Sequence, residues 1–337
     1  MPTPAPGAPI TRVLAGQSVV VTGATGFLGS HIALALLDAG AEVIGAVRTP
    51  AKGAWLVERG ARMVQADLTD RASLVRAFAG VPTIVSNAAQ GGHDADMATF
   101  ERVNCQGLVD LFDAARDAGS RRIVHISSTA VYRTRLYARM GETTRGYDTD
   151  KRRFNWSDVT TDWRYARTKT LAERLAWERA ATHGLALTTL RPGPIYGSRD
   201  EKATAILRAG LTGRFRLVPT VGVPWVHAGD VARAVVGALA NPASAGRAYN
   251  LAGPPVSQHR FLREMRRLLA DLSRDRADTA APGDRTGSAP GAGSPRKLPI
   301  LLPVPLPVWV RYDTSAAERD LGFNPRPLAD GLREALS

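Results

Sequence analysis

Nine residues near the start of the chain, Thr22–Ser30 ("TGATGFLGS"), constrain the fold more than any others. They lie between a β-rich apolar run, "SVVVTG" (18–23), and a helix-periodic run, "FLGSHIALALLDAG" (27–40). Gly23, Gly26 and Gly29 stand three apart. Glycines at a strand-to-helix turn let the backbone bend tightly and approach an anion, which then sits on the helix N-terminus. The context makes the triplet informative, because the alternation continues. Strands are expected at 42–47, 61–67, 82–89, 121–128 and 185–192, with helices at 71–80, at 97–119 as one long element, and around Tyr165. This order predicts an α/β fold: a Rossmann-type doubly wound parallel sheet covered on both faces.

The second half is less regular. Helices are expected at 200–213, 229–241 and 258–272, a strand at 247–253, and two short closing helices. The division expected is a tail at 1–16, a nucleotide-binding unit at 17–192 with an insertion at 133–163, and a smaller substrate-binding region at 193–337, partly interleaved with the sheet. Residues 273–299 are rich in Pro, Gly, Ser and charge, and are expected to form a flexible loop. The proline-broken apolar run 300–310 reads as a lid or as a packed extended segment.

The 337 residues carry a formal charge of +13, which raises the question of nucleic acid. Only five of the 44 basic residues are lysine (52, 151, 169, 202 and 297); the arginines are dispersed among acids. Neither an RNA-binding aromatic motif nor zinc-finger spacing is present, so no nucleic-acid partner is expected. No apolar run has bilayer length, so no membrane partner is expected either. The start lacks a signal-peptide pattern, and a cytoplasmic location is expected. Cys105 is the single cysteine, which excludes an internal disulfide, and no metal site is expected.

About 20 residues past the glycines, a dinucleotide fold reads its ribose at the end of the second strand. An acid there suits a 2′-hydroxyl. This chain has Arg48, with Lys52 nearby. Cations suit a 2′-phosphate, so NADP is expected as the cofactor ahead of NAD. Asp67, after the third strand, is placed to meet the adenine amino group or to cap a turn.

Further along, "WRYARTKT" puts Tyr165 and Lys169 four apart, on one face of a helix. An ammonium beside a phenol favours the phenolate. With "VNCQG" (103–107), "ISSTAVY" (126–132), "RPGPIYG" (191–197) and "VHAGDVARAV" (226–235), these motifs occur in the order of the extended short-chain dehydrogenase/reductase superfamily, the NAD-dependent epimerase/dehydratase-like branch, which the chain resembles over roughly 17–335.

The resemblance implies Tyr165 as general acid or base, Lys169 on the nicotinamide ribose and lowering the tyrosine pKa, Ser128 on the substrate oxygen, and Asn104 breaking its helix locally or holding a water. It implies cofactor contacts from Gly23, Thr25, Gly26, Phe27, Leu28, Gly29, Arg48, Asp67, Leu68, Ala88, Tyr165, Lys169, Pro192 and Ile195. Thr129, Tyr132 and Tyr196 would meet the substrate. A homodimer through the Asn104 and Tyr165 helices is implied as well. His125 and His227 read as packed histidines.

Thr129 and Ala130 stand where dehydratases of this branch carry an Asp-Glu pair, which speaks against elimination. Ser128 and Tyr165 are 37 positions apart, and the long intervening segment holds five aromatics and seven basic residues. It suits a bulky, anionic small molecule, or is a solvated insertion. The expected activity is NADP-dependent reduction of a ketone, or oxidation of an alcohol, on a natural-product-like or keto-sugar substrate. The alternatives are a nucleotide-sugar epimerase with tightly bound NAD, and a non-catalytic NADP sensor.

Overall fold

A computed structural model of the chain describes residues 12–91, 95–133, 138–144, 146–147, 149, 162–200, 217–279, 302–304 and 309–336. Its centre is a parallel sheet. The first five strands are β1 (Ser18–Thr22), β2 (Glu42–Val47), β3 (Arg62–Gln65), β4 (Thr83–Ser86) and β5 (Arg122–Ile126). A two-residue β6 (Arg139–Met140) lies outside the sheet and pairs with Arg311–Tyr312. β7 (Ala186–Pro192) returns to it, and Arg247–Leu251 adds the last strand, giving the order 247–251, β7, β5, β4, β1, β2, β3. The direction of winding reverses between β1 and β4. At such a point the loops on either side diverge and leave a crevice at the carboxyl ends of the strands.

The sheet strands are nearly continuous apolar runs because both faces are covered. On one face lie α1 (Phe27–Asp38) and the helix Ala228–Ala240, packed around Ile32, Leu36, Val231 and Val235. On the other lie α3 (Arg71–Phe78), α5 (Gly107–Asp117) and α6 (Trp163–His183), around Leu74, Phe78, Leu111, Phe112 and Ala176. The short α2 (Ala54–Val57) and α4 (Met97–Phe100) complete the helices named here. No helix among the described residues is long and apolar enough to cross a membrane.

Two sequence expectations change. The helix expected over 97–119 is interrupted: α4 and α5 are joined by a π-helical segment, Glu101–Gln106. Such a wide turn accommodates one extra residue and frequently marks a functional site; here it carries Asn104. The helix starting at Gln258 does not stop at 272 but runs to Thr279. Its extension has no breaker before Pro282, and Arg274 pairs with Asp271 at 2.6 Å on the same face. The remainder of the expected 273–299 loop and the helix expected at 200–213 lie outside the described residues, apart from Asp200, as does most of the 133–163 insertion.

One buried ion pair ties α6 to the sheet. Arg191 on β7 donates through Nε to both oxygens of Glu173 on α6, at 3.1 and 3.0 Å, and through Nη1 to the Tyr132 hydroxyl at 2.6 Å. The Arg191 and Glu173 side chains are only 11% and 8% exposed, so removing one partner strands the other charge in the core. Arg191→Met is expected to cost about 3–5 kcal/mol in urea denaturation at neutral pH, and Arg191→Met with Glu173→Leu to recover most of it.

Candidate active site

The crevice between β1 and β4 opens into a cavity of about 520 Å³. Its floor is the turn after β1. Gly23 has φ +69°, and a side chain there would press on Ala88, within 3.2 Å of its backbone. Gly29 has no room at all: a Cβ would lie 2.0 Å from the Gly23 carbonyl oxygen. The first turn of α1 therefore packs directly on the turn that precedes it. No side chain caps α1, so the amides of its first turn are left for a ligand. Thr22 fixes the opposite wall. Its hydroxyl accepts from the Asn87 and Ala88 amides, both at 3.0 Å, while the Asn87 side chain donates to the Thr22 carbonyl at 3.2 Å.

Ten of the expected cofactor residues line this cavity: Gly23, Thr25, Gly26, Phe27, Leu28, Gly29, Arg48, Asp67, Leu68 and Ala88. Arg48 and Lys52 are exposed on it, and no acid takes the place after β2. Asp67 is a cavity wall whose Oδ1 accepts from the Thr69 amide and hydroxyl, both at 2.9 Å. The Thr69 amide, more than the nearby Arg48 charge, holds this carboxyl below its ordinary pKa. The cap of α3 falls to Asp70, which accepts from the Ser73 amide at 3.1 Å. Pro192 and Ile195 do not line the cavity; Pro192 is buried at the end of β7 and Ile195 half-buried beyond it. The residues fit a dinucleotide: a bare-backbone turn for a pyrophosphate, an uncapped helix start, and cations at the ribose end of β2.

Ser128, Tyr165 and Lys169, the residues expected to handle the proton, stand outside the lining of this cavity. Ser128 ends the β5 segment in extended conformation, and its Oγ accepts from the Ala130 amide at 3.1 Å. Its own proton is thereby free to point to the Tyr165 phenol and favour the phenolate. One turn along α6, buried Lys169 donates to the Ile126 carbonyl at 2.8 Å. Burial pulls the ammonium down to about 8, with Glu173 acting against it. Burial likewise raises the Tyr165 pKa, and only the Ser128 hydrogen bond works the other way. The expected direct lowering of Tyr165 by Lys169 is not among the influences on the phenol in the protein alone.

Asn104 is buried in the π-helical segment. Its Oδ1 accepts from the Gln90 amide at 2.7 Å, and its Nδ2 donates to the Gln90 carbonyl at 3.1 Å and the Thr168 hydroxyl at 3.3 Å. It pins the loop after β4 to α6, a tie that no spacing in the sequence reveals.

The three residues expected to face substrate are placed otherwise. Tyr132 is fully buried, with its hydroxyl donating to Asn250 Oδ1 at 2.7 Å and accepting from Arg191. Thr129 is buried beside Tyr312, whose phenolate its hydroxyl favours. Tyr196 packs edge-on against His227 and Phe261 in the C-terminal core. All three were read from motif position; each is consumed by a contact to a segment more than a hundred residues away or to the C-terminal helices.

With this geometry in view, the chain matches the model of the NAD dependent epimerase/dehydratase family over residues 19–252. It is 33% identical to cinnamoyl-CoA reductase 1 of Oryza sativa subsp. japonica over 75% of this chain and 76% of that one. It is 31% identical to dihydroflavonol 4-reductase of Zea mays, over 68% of each. Similarity to 2-alkyl-3-oxoalkanoate reductase of Stenotrophomonas maltophilia is 27%, over 94% of this chain and 98% of that protein. Among solved structures, UDP-glucose-4-epimerase from Stenotrophomonas maltophila with bound NAD and formylated UDP-arabinopyranose superimposes with a TM-score of 0.74 at 20% identity, covering 95% and 96% of the two chains.

Gly29→Ala is expected to abolish nucleotide binding in calorimetry, because the Gly23 carbonyl can make way only by opening the turn that forms the cradle.

Proposed function

The chain belongs to the NAD-dependent epimerase/dehydratase family and is an NAD(P)-dependent oxidoreductase of the extended short-chain dehydrogenase/reductase type; from that premise we propose that it is an NADP-dependent reductase of a bulky ketone, or the corresponding alcohol dehydrogenase. The observation that carries the choice is the cation pair Arg48 and Lys52 on the cavity, at the end of β2, where an acid would stand for NAD. Reductase relatives over most of the chain support the same reading.

When bound, the nicotinamide supplies or accepts the hydride. The protein handles the proton and the charge. Tyr165 donates its proton to the carbonyl oxygen of the substrate, and takes it back in alcohol oxidation. Ser128, whose Oγ accepts from the Ala130 amide, donates its one proton to the same oxygen and stabilises its developing charge. Lys169, itself buried, supplies positive charge beneath the half-buried pair. Thr129 and Ala130 offer no carboxylate for elimination, so dehydration is excluded from the proposal.

Tyr165→Phe is expected to lower hydride transfer, followed as NADPH consumption with a panel of bulky ketones, by about 10²–10⁴-fold with little change in NADPH affinity. Activity that survives this change would overturn the assigned proton donor. In calorimetry the wild type should prefer NADPH to NADH, and Arg48→Asp should weaken NADPH by roughly 10- to 100-fold, the size of one lost charge-assisted contact. Equal binding of the two would instead favour the epimerase reading, which predicts trapped NAD in the purified protein.

A further inference from the structure

Outside the nucleotide cavity, two guanidinium groups meet on one indole. Arg199 sits over the Trp55 ring of α2, its guanidinium carbon 3.7 Å from the centroid. Arg59, just past the end of the same helix, stands over that ring at 5.5 Å. Trp55 is half-buried and packs against the core around α1, so the platform is fixed from below.

Both arginines are held by backbone. Arg59 donates through Nη1 to the Trp55 carbonyl at 3.1 Å. Arg199 comes from the loop after the short strand Ile195–Tyr196. Its φ of +67° is the one positive value among the described non-glycine residues, in a region that L side chains seldom occupy. The residue before it is fastened to α1, where His31 Nε2 lies 3.0 Å from the Ser198 carbonyl oxygen. A carbonyl only accepts, so the ring proton is on Nε2. Phe27, one turn before His31, meets that ring edge-on at 5.8 Å and is itself a wall of the nucleotide cavity. The arginine pair thus stands on the flank of α1, beside the cavity, and neither member lines it.

Stacking accounts for one arginine on the ring, not for two, because like charges repel. Burial and then the Arg59 charge lower the pKa of Arg199, and no carboxylate is among the influences on it. Glu58 and Asp200, next to the two arginines along the chain, leave that repulsion standing. A guanidinium stacked by its face keeps its N–H edge free of the indole. Arg199 is exposed, and its N–H groups meet no acceptor among the described residues.

We propose that Arg59 and Arg199, on the Trp55 platform, form an anion subsite distinct from the nucleotide cavity, which takes a phosphate group. A dianion suits two cations: it cancels their repulsion, and its oxygens match the planar fork of guanidinium donors. The group arrives as the free inorganic ion or as the phosphorylated end of an organic substrate; the second source rests on the reductase reading, and the test separates the two.

The chain has six tryptophans, so protein carrying 5-fluorotryptophan gives a sparse ¹⁹F spectrum in which Trp55→Phe identifies the Trp55 signal. Inorganic phosphate, titrated at constant ionic strength, should shift that signal saturably, and chloride should not. Arg199→Gly keeps the left-handed backbone while removing the guanidinium, and should weaken phosphate roughly tenfold or more, the size of one charge-assisted contact. Arg59→Gln should do the same, whereas Arg48→Asp, which alters the nucleotide cavity, should leave the shift in place. An arginine that only fastens its loop would lower the melting temperature on removal and leave the wild type without a phosphate response; that result overturns the proposal, as does a response matched by chloride or surviving Arg199→Gly. A loss of NADPH affinity in Arg199→Gly as large as in Arg48→Asp overturns it too, since the pair would then serve the cofactor. Phenyl phosphate is the second arm: binding tighter than inorganic phosphate marks a seat for a phosphorylated organic molecule, and equal binding a seat for the free ion. Absence of an NADPH preference would refute the proposed function without touching the phosphate titration.

Discussion

The architecture turns on a contact between two backbone segments, the first turn of α1 seated on the Gly23 carbonyl. No residue with a side chain can occupy position 29 at that distance. Because α1 sits so close, its uncapped amides open directly onto the crevice between β1 and β4, and Thr22 can hold the Asn87–Ala88 turn as the facing wall. The uncapped start of α1 and the facing Asn87–Ala88 wall take their positions around this approach. A cleft built from backbone atoms is also rigid before any ligand arrives, so little ordering cost remains for binding.

The opposite constraint governs α6. Placing Lys169 in a solvent-free pocket works against its charge. The fold compensates with Glu173 one turn away, but a buried carboxylate needs a partner of its own, and Arg191 takes both of its oxygens. Arg191 in turn engages Tyr132, which reaches Asn250 on the last strand. Charge balance around the lysine thus extends across the sheet. This explains why Tyr132 and Arg191, which flank the reactive residues in sequence, serve the scaffold rather than the substrate.

Much of this was legible in the residues. The βα alternation, the glycine spacing, Arg48 after β2 and the four-residue step from Tyr165 to Lys169 are local patterns. Each follows from one element's periodicity or from the steric demand of one turn. The structure brings the glycine turn and Arg48 to one crevice, while Tyr165 and Lys169 share a face of α6 outside its lining. Local pattern set against substrate three residues whose partners are remote: Tyr132 on Asn250, Thr129 beside Tyr312 and Tyr196 against Phe261; Asn104 does sit where its helix breaks, in a π-helical turn, but that its amide joins the β4 loop to α6 is not visible in helix periodicity. The extension of the helix to Thr279 was missed because composition was averaged over a window that begins before its first breaker.

By itself, then, the sequence determined the fold class, the glycine turn between β1 and α1 and the placing of Tyr165 and Lys169 on one helix, since hydrophobic period, backbone sterics and helical spacing act within a few residues of one another. Tertiary structure alone decided which polar groups are free to act. Whether a hydroxyl, an amide or an imidazole faces a ligand depends on what else lies within 3 Å or so of it, and for Tyr132, Asn104 and His125 those neighbours come from strands and helices far away along the chain.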